Sequence, residues 1–286
     1  MKKIGLMIDT AADMPKEYID KYDLKVINFM VTFGDESFIA HEEISNEEFF
    51  DKVHNSGIHP KTAQTPFQTL YDGLLEAAKE CETLIFFTLS SKGSGQYQSG
   101  VLAAKQIMEE HPELDIRVVD TMTFSLFIAG GVLYAAKLIE EGKNADEVVD
   151  LTVKYINTWD VCFLVDDLNY LQRGGRIKKT TAVIGSMLDI KPVLGVEDGI
   201  IASKAKLRGK KKLGKKLIEL IKEDEGFDPN DNDFMFVHNN PGLVEETKQI
   251  IKEEFNKDVM IIQEIGPVIG AHTGPGVFAV FYRKAK

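Results

Sequence analysis

Short, mostly apolar runs recur along the first half of the chain at Ile4–Ile8, Leu84–Leu89 and Ile116–Val119. Each has the length of a buried strand. Between them the apolar positions change to a helical spacing, over Phe67–Lys79 and over Gln96–Met108, where Val101, Leu102 and Ile107 share a side. Strands alternating with helices predict βαβ units and a largely parallel sheet. A long apolar helix is expected from Thr123 to Glu141, with Phe124, Leu126, Phe127 and Ile128 near its start and Gly130-Gly131 in its middle. Paired glycines there permit close packing or a bend. A charged helix follows over Ala145–Asn157.

The character changes at Trp159-Asp160. Val161–Val165 reads as a strand, and Lys191–Val196 and Ile200–Ser203 read as a hairpin, because Glu197-Asp198-Gly199 carries an Asp-Gly turn signal. A basic helix, a strand at Phe234–His238 and a helix over Gly242–Phe255 come next. Val259–Ile262 and Val277–Tyr282 are expected as a final strand–turn–strand around Gly270–Gly276. The pattern therefore predicts two α/β domains: residues 1–158 with a largely parallel sheet, and residues 159–286 with a mixed sheet and a basic helix.

At 286 residues, 44% hydrophobic and 28% charged, the chain has the composition of a two-domain globular protein. Met1-Lys2-Lys3 opens like a leader, but Asp9 interrupts the apolar run, and no stretch approaches the length of a membrane span. Cys81 and Cys162 form no CxxC pair, which fits free thiols in a reducing cytoplasm. The net charge of −11 argues against general nucleic-acid affinity. Against that background, Lys204 to Lys216 holds eight basic residues and no acidic one. Such a run is either a solvated face or a docking surface for an anionic partner.

Three polar clusters are candidates for chemistry. Thr62-Ala63-Gln64-Thr65-Pro66 precedes a helix; Thr65 is expected as its N-cap with Pro66 at N1, which leaves Thr62 and Gln64 open to a ligand. Ser90–Gly95 is a strand-to-helix turn rich in serine and glycine, a form that suits an anion. Gly270–Gly276 sets His272 and Thr273 among glycines. Asp9 and Thr10, just past the first strand, are placed where α/β sheets commonly face a ligand crevice. Arg173 and Arg176 either cap the site or pair with Asp166 and Asp167, the second being favoured. The chain has no GxxxxGK[ST], no GxGxxG after its first strand, no HExxH and no GxSxG. No metal site, cofactor or catalytic residue is expected. The remaining inventory suits a ligand with a small anionic head and an apolar tail.

Asp9-Thr10-Ala11-Ala12-Asp13, Thr62–Pro66, Ser90–Tyr97, Asp167–Ile177 with Arg173-Gly174-Gly175-Arg176, and Ile265–Gly276 together resemble the DegV family, the fatty-acid-binding subunits of bacterial fatty acid kinase. The resemblance implies a fatty acid buried at the junction of two α/β domains. By motif position it implies that Thr62 and Ser94 hold the carboxylate, with His272 and Thr273 beside them. It also implies a separate ATP-dependent kinase subunit that phosphorylates the bound acid for phospholipid synthesis. Lys206 and Arg208 lie where the family engages the kinase, with transient membrane contact also open. Gly93 stands where a leucine is frequent and Gln96 where a threonine is frequent. Phe124–Ile128, Ile184, Met187, Leu188, Val268 and Ile269 are candidate tunnel residues. Two other readings stand beside this one: a stand-alone hydrolase or phosphotransferase using Ser94 and His272, and a regulatory module whose basic helix recognises a protein or nucleic acid.

Overall fold

A computed structural model describes residues 2–178, 190–209 and 211–284. The tunnel candidates Ile184, Met187 and Leu188 lie outside the described residues. The chain opens with β1 (Lys2–Asp9), a short 3-10 turn (Thr10–Ala12), α1 (Lys16–Tyr22) and β2 (Lys25–Ile27). It continues through β3 (Met30–Phe33), β4 (Glu36–Ile39), α2 (Asn46–Ser56) and β5 (Lys61–Ala63). Then come α3 (Phe67–Ala78), β6 (Cys81–Thr88), α4 (Gln96–Glu110), β7 (Asp115–Asp120), α5 (Leu126–Glu140) and α6 (Ala145–Ile156). The four-stranded sheet β2-β1-β6-β7 is parallel throughout. Its central strands β1 and β6 carry apolar runs at Ile4–Ile8 and Leu84–Phe87, buried because helices cover both faces.

The rest of the chain runs β8 (Trp159–Leu164), α7 (Asn169–Gly174), β9 (Ile190–Glu197), β10 (Ile200–Arg208) and α8 (Leu213–Lys222). It ends with β11 (Phe234–His238), α9 (Pro241–Phe255), β12 (Val259–Glu264), α10 (Pro267–Thr273) and β13 (Phe278–Arg283). These strands form a six-stranded mixed sheet in the order β10-β9-β8-β13-β11-β12. Asp198 and Gly199 both take left-handed φ, 52° and 76°, the conformation a two-residue turn needs to join β9 to β10.

Packing makes a layered α/β arrangement. The outer face of the parallel sheet is buried under α3 and α4, and that of the mixed sheet under α8 and α9. Between the two sheets lies one continuous apolar cluster, in which Ile8 and Phe87 meet Phe163, Val237 and Phe281 through α5. The α5 helix is apolar around most of its surface, as expected of a helix enclosed by two layers. Its paired glycines serve close packing: a Cβ on Gly130 would stand 3.1 Å from Met235, and one on Gly131 would strike Ile156.

Five readings change on the structure. The segment before the last strand is α10 and not a bare turn, because Pro267–Thr273 closes helical hydrogen bonds from Gly270 N to Gly266 O and from Gly274 N to Gly270 O, both 2.8 Å. Only Gly274-Pro275-Gly276, with φ of 72° and 82° at the glycines, is turn. The last two strands do not pair: β12 pairs with β11, and β13 lies between β11 and β8. The long apolar helix starts at Leu126, leaving Phe124 in the loop before it. The basic run is not one helix, since Lys204, Lys206 and Arg208 lie on β10 and only its last part reaches α8. Thr65 does not cap α3; its hydroxyl donates to Asn28 O (2.8 Å) and accepts from Gln96 Nε2 (3.0 Å), and its N–H reaches Gln96 Oε1 (3.2 Å).

The structure adds an antiparallel sheet of three strands, β4-β3-β5, that the apolar runs do not predict. Alternation at Val31 and Phe33 and the Gly34-Asp35 pair before β4 are its sequence signals. Thr62 sits on β5, opposite Val31.

Candidate functional site

Between the two sheets is a cavity of about 180 Å³. Thr62, Gln64, Ser94, Ser125, Arg176, His272 and Thr273 supply its polar groups; Phe29, Leu89, Phe124, Phe127, Val161, Phe163, Val237, Val268, Ile269, Ala279 and Phe281 supply apolar wall. Thr62, Ser94, Arg176 and His272 are each partly exposed, whereas the deeper residues Val161, Phe163, Val237, Ala279 and Phe281 are buried. The cavity is thus polar at one end and apolar over the rest.

Local folding brings the polar residues there. β5 hydrogen-bonds to β3 and presents Thr62. Ser94 closes the turn after β6, where its hydroxyl accepts from Gln96 N (3.3 Å) at the start of α4. Gly93 is required by its neighbour, since a Cβ there would lie 2.6 Å from the Phe124 ring. A side chain at position 93 would therefore require the Phe124 ring to move. α10 carries His272 and Thr273; the Thr273 hydroxyl donates to Ile269 O (3.2 Å), so it satisfies its own helix while lining the cavity.

His272 Nε2 lies 2.8 Å from Thr62 Oγ1, while Nδ1 is buried with no partner. Gly174 packs directly against Nδ1, leaving no space for a side chain between them. An orphaned buried N–H is rarer than an under-used acceptor. We therefore assign the proton to Nε2, which donates to Thr62 Oγ1. The Thr62 hydroxyl is then free to donate its own proton into the cavity. Burial, with Arg176 and His59 adding repulsion, pulls the His272 pKa down to about 3, so the ring is neutral at physiological pH.

Arg176 lines the cavity and donates through Nε to Gly93 O (3.0 Å) and through Nη1 to Gly174 O. This overturns the favoured pairing of Arg176 with Asp166, whose carboxylate instead takes Lys191 at 2.7 Å. Arg173 lies outside the main cavity, in a smaller polar hollow with His59, Asp167 and Tyr170. Asp9 and Thr10 do not face the cavity either. Asp9 accepts from Ala11 N (3.1 Å) and Leu89 N (2.9 Å), and Thr10 Oγ1 accepts from Phe29 N (3.1 Å). These bonds knit the ends of β1 and β6 to β3's approach, so the first motif acts on structure. Of the tunnel candidates, Phe124, Phe127, Val268 and Ile269 line the cavity, while Leu126 and Ile128 are ordinary core.

For a hydrolase, Ser94 would have to be activated by His272. Among the described residues His272 has Thr62 as its hydrogen-bond partner, and Ser94 serves the α4 backbone. No cluster of three or more His, Cys, Asp or Glu suited to a metal ion occurs among the described residues, and no described helix is long and apolar enough to cross a membrane.

The fold and site define an α/β protein with an apolar cavity between two sheets that is polar at its partly exposed end. The chain belongs to the DegV family, an uncharacterised family by its description, which matches residues 3–285. It is 33% identical to a DegV domain-containing protein of Clostridium perfringens, over 99% of this chain and 98% of the relative. Solved structures share the fold closely. A DegV lipid binding protein from Thermotoga maritima is 29% identical, with a TM-score of 0.85 over 99% of this chain and 100% of its own. A fatty-acid-binding DegV family protein from Streptococcus agalactiae is 28% identical, with a TM-score of 0.86 over 100% of both chains. A DegV family protein from Thermus thermophilus, also described by its fatty acid binding, is 27% identical with a TM-score of 0.85 over 99% of each chain.

Proposed function

We propose that this protein binds a long-chain fatty acid, with its carboxylate on Thr62 and Ser94 and its tail in the apolar cavity, and presents it to an ATP-dependent fatty acid kinase subunit. One observation carries the reading: hydroxyl donors from distant segments meet at the partly exposed end of a cavity whose remaining wall is apolar. The fatty acid and lipid binding described for relatives of the same fold supports it.

The chemistry is consistent. A fatty acid carboxyl titrates near the glutamate value, about 4.3, so at neutral pH the ligand is already a nucleophile. Transfer of a phosphoryl group to it requires positioning and charge compensation, not a base on this chain. Thr62, freed by the Nε2–H of His272, and Ser94 orient the anion, while Arg176 adds positive charge at the same end. Burying the tail contributes about 0.8 kcal/mol per methylene, on the order of 10 kcal/mol for sixteen carbons before ordering costs. The wall therefore supplies affinity and the hydroxyls supply orientation.

In this reading the protein is not catalytic alone, and Lys206 and Arg208 contact the kinase. Both side chains are on β10, an edge strand, and both residues are exposed. A cytoplasmic site of action follows from that partnership. Native mass spectrometry of protein purified from bacteria is expected to show one bound acyl chain, released on denaturation. Protein that is consistently empty and takes up no added fatty acid overturns the proposal.

A further inference from the structure

The cavity ends at one level on three elements that pack against each other. Leading into and along β13 its lining residues are Val277, Ala279 and Phe281. Alternate strand residues share a face, so this wall extends about 13 Å at about 3.3 Å per residue. The next residue on that face, Arg283, pairs with Trp159 and does not line the cavity. On β11, Val237 lies opposite Ala279 and lines the cavity, whereas Met235, opposite Phe281, does not. On α5 the last lining residue is Phe127; three residues on, Gly130 abuts Met235. Phe127 and Phe281 close the remaining gap edge to face, with ring centroids 5.0 Å apart and planes at 81°. One level higher, Ala279 sits between Phe163 and Val237 on the neighbouring strands, the smallest residue of its row.

We propose that Phe281, braced by Phe127 and Met235, is the gauge that sets the longest acyl chain this protein accepts, and that Ala279 keeps the passage to it open. The inference rests on the fatty-acid reading above and specifies its substrate. A tail entering from the Thr62 end passes the groove left by Ala279 and meets the Phe281 ring with its terminal methyl. Among the described residues nothing polar lines this end, so length is read by contact alone.

The test is competition. Lipid-free wild type, Phe281→Ala and Ala279→Leu proteins are each incubated with an equimolar series of saturated fatty acids from twelve to twenty carbons, and the bound species are weighed by native mass spectrometry. Phe281→Ala is expected to move the bound distribution to chains longer by about two carbons or more, since one strand level is opened. Ala279→Leu is expected to move it the opposite way. If the folded variants retain the wild-type distribution, the gauge is overturned. Should Phe281→Ala fail to fold, as judged by its melting transition, Ala279→Leu alone decides: a shift to shorter chains supports the proposal and an unchanged distribution refutes it. Wild-type protein that binds none of the series refutes the fatty-acid reading itself, an outcome distinct from unchanged length preference.

Discussion

At the mouth of the cavity, Thr62 comes from β5, Ser94 from the turn before α4, Arg176 from the segment after α7 and His272 from α10. At its floor, Val161, Val237, Ala279 and Phe281 come from neighbouring strands of one sheet. The mouth is a meeting of short elements held by single hydrogen bonds, such as Thr62 to His272 and Arg176 to Gly93. The floor is set by strand register, which a pleated sheet specifies over its whole length. On the proposed reading, direction and affinity are assigned to separate parts of the molecule, and each can be altered without the other.

Removing both hydroxyls tests this division most severely. A hydrogen bond to a charged group is worth about 1.5–3 kcal/mol, so Thr62→Ala with Ser94→Ala is expected to lower kinase-dependent acyl phosphate formation by about a hundredfold or more. Bound lipid should survive in the same protein, because the wall that buries the methylenes is untouched. Unchanged turnover in a reconstituted assay with a fatty acid kinase removes these residues from the mechanism. Lost lipid with normal folding shows that the mouth also supplies affinity, and the comparison fails.

The mouth was more legible in the sequence than the floor. Polar residues among glycines, at Ser90–Gly95 and Gly270–Gly276, stand out because such composition suits a close backbone approach better than a core. Their partners were harder to see: nothing local in the chain says that Thr62 meets His272, 210 residues away. Aspartates near Arg176 in sequence predict an ion pair for it, yet Lys191 arrives from β9 to take Asp166. At the floor, Phe163 and Phe281 look like any inward-facing strand residues. Ala279, two residues before Phe281 and opposite Phe163, leaves space there by its small size, and alternation reveals the face a residue points to but not the space left beside it. The fold itself is legible where strands carry continuous apolar runs, as at Ile4–Ile8 in β1 and Leu84–Phe87 in β6. It was not legible in the three-stranded sheet, whose strands are only three or four residues long.

A narrower probe acts on the mouth through its packing. Gly174→Ala drives a methyl into the space of His272 Nδ1. Overpacking of this kind costs about 1–3 kcal/mol, and withdrawal of the imidazole relieves it at the expense of its bond to Thr62. Acyl phosphate formation is expected to fall by about tenfold with the bound chain-length distribution unchanged. A variant that alters chain length instead would mean that the two ends are mechanically coupled.

The smallest expected effect is a pH dependence confined to the mouth. The His272 pKa falls from an unfolded value of about 6.5 to about 3, through burial first and then the charges of Arg176 and His59. Between those values the unfolded chain binds a proton that the folded chain refuses, so this residue's contribution to stability is present above pH 6.5 and is lost as pH falls toward 3. Asp9 and Asp13 act in the opposite sense. Burial raises each to about 7 despite their hydrogen bonds, so their contribution is present below about 3.8 and is lost as pH rises through 7. The net curve of the wild type is therefore a partial cancellation, and only a difference between variants isolates the histidine. In lipid-free protein the stability advantage of wild type over His272→Gln, followed by denaturant titration, is expected to shrink by about 1 kcal/mol between pH 7 and 5.5. Phe281→Ala, at the floor, removes no titrating group and should show no such pH-dependent difference. If the His272→Gln difference stays constant across that range, the imidazole is not held neutral by its surroundings, and the proton assigned to Nε2 no longer accounts for the direction of the Thr62 hydroxyl.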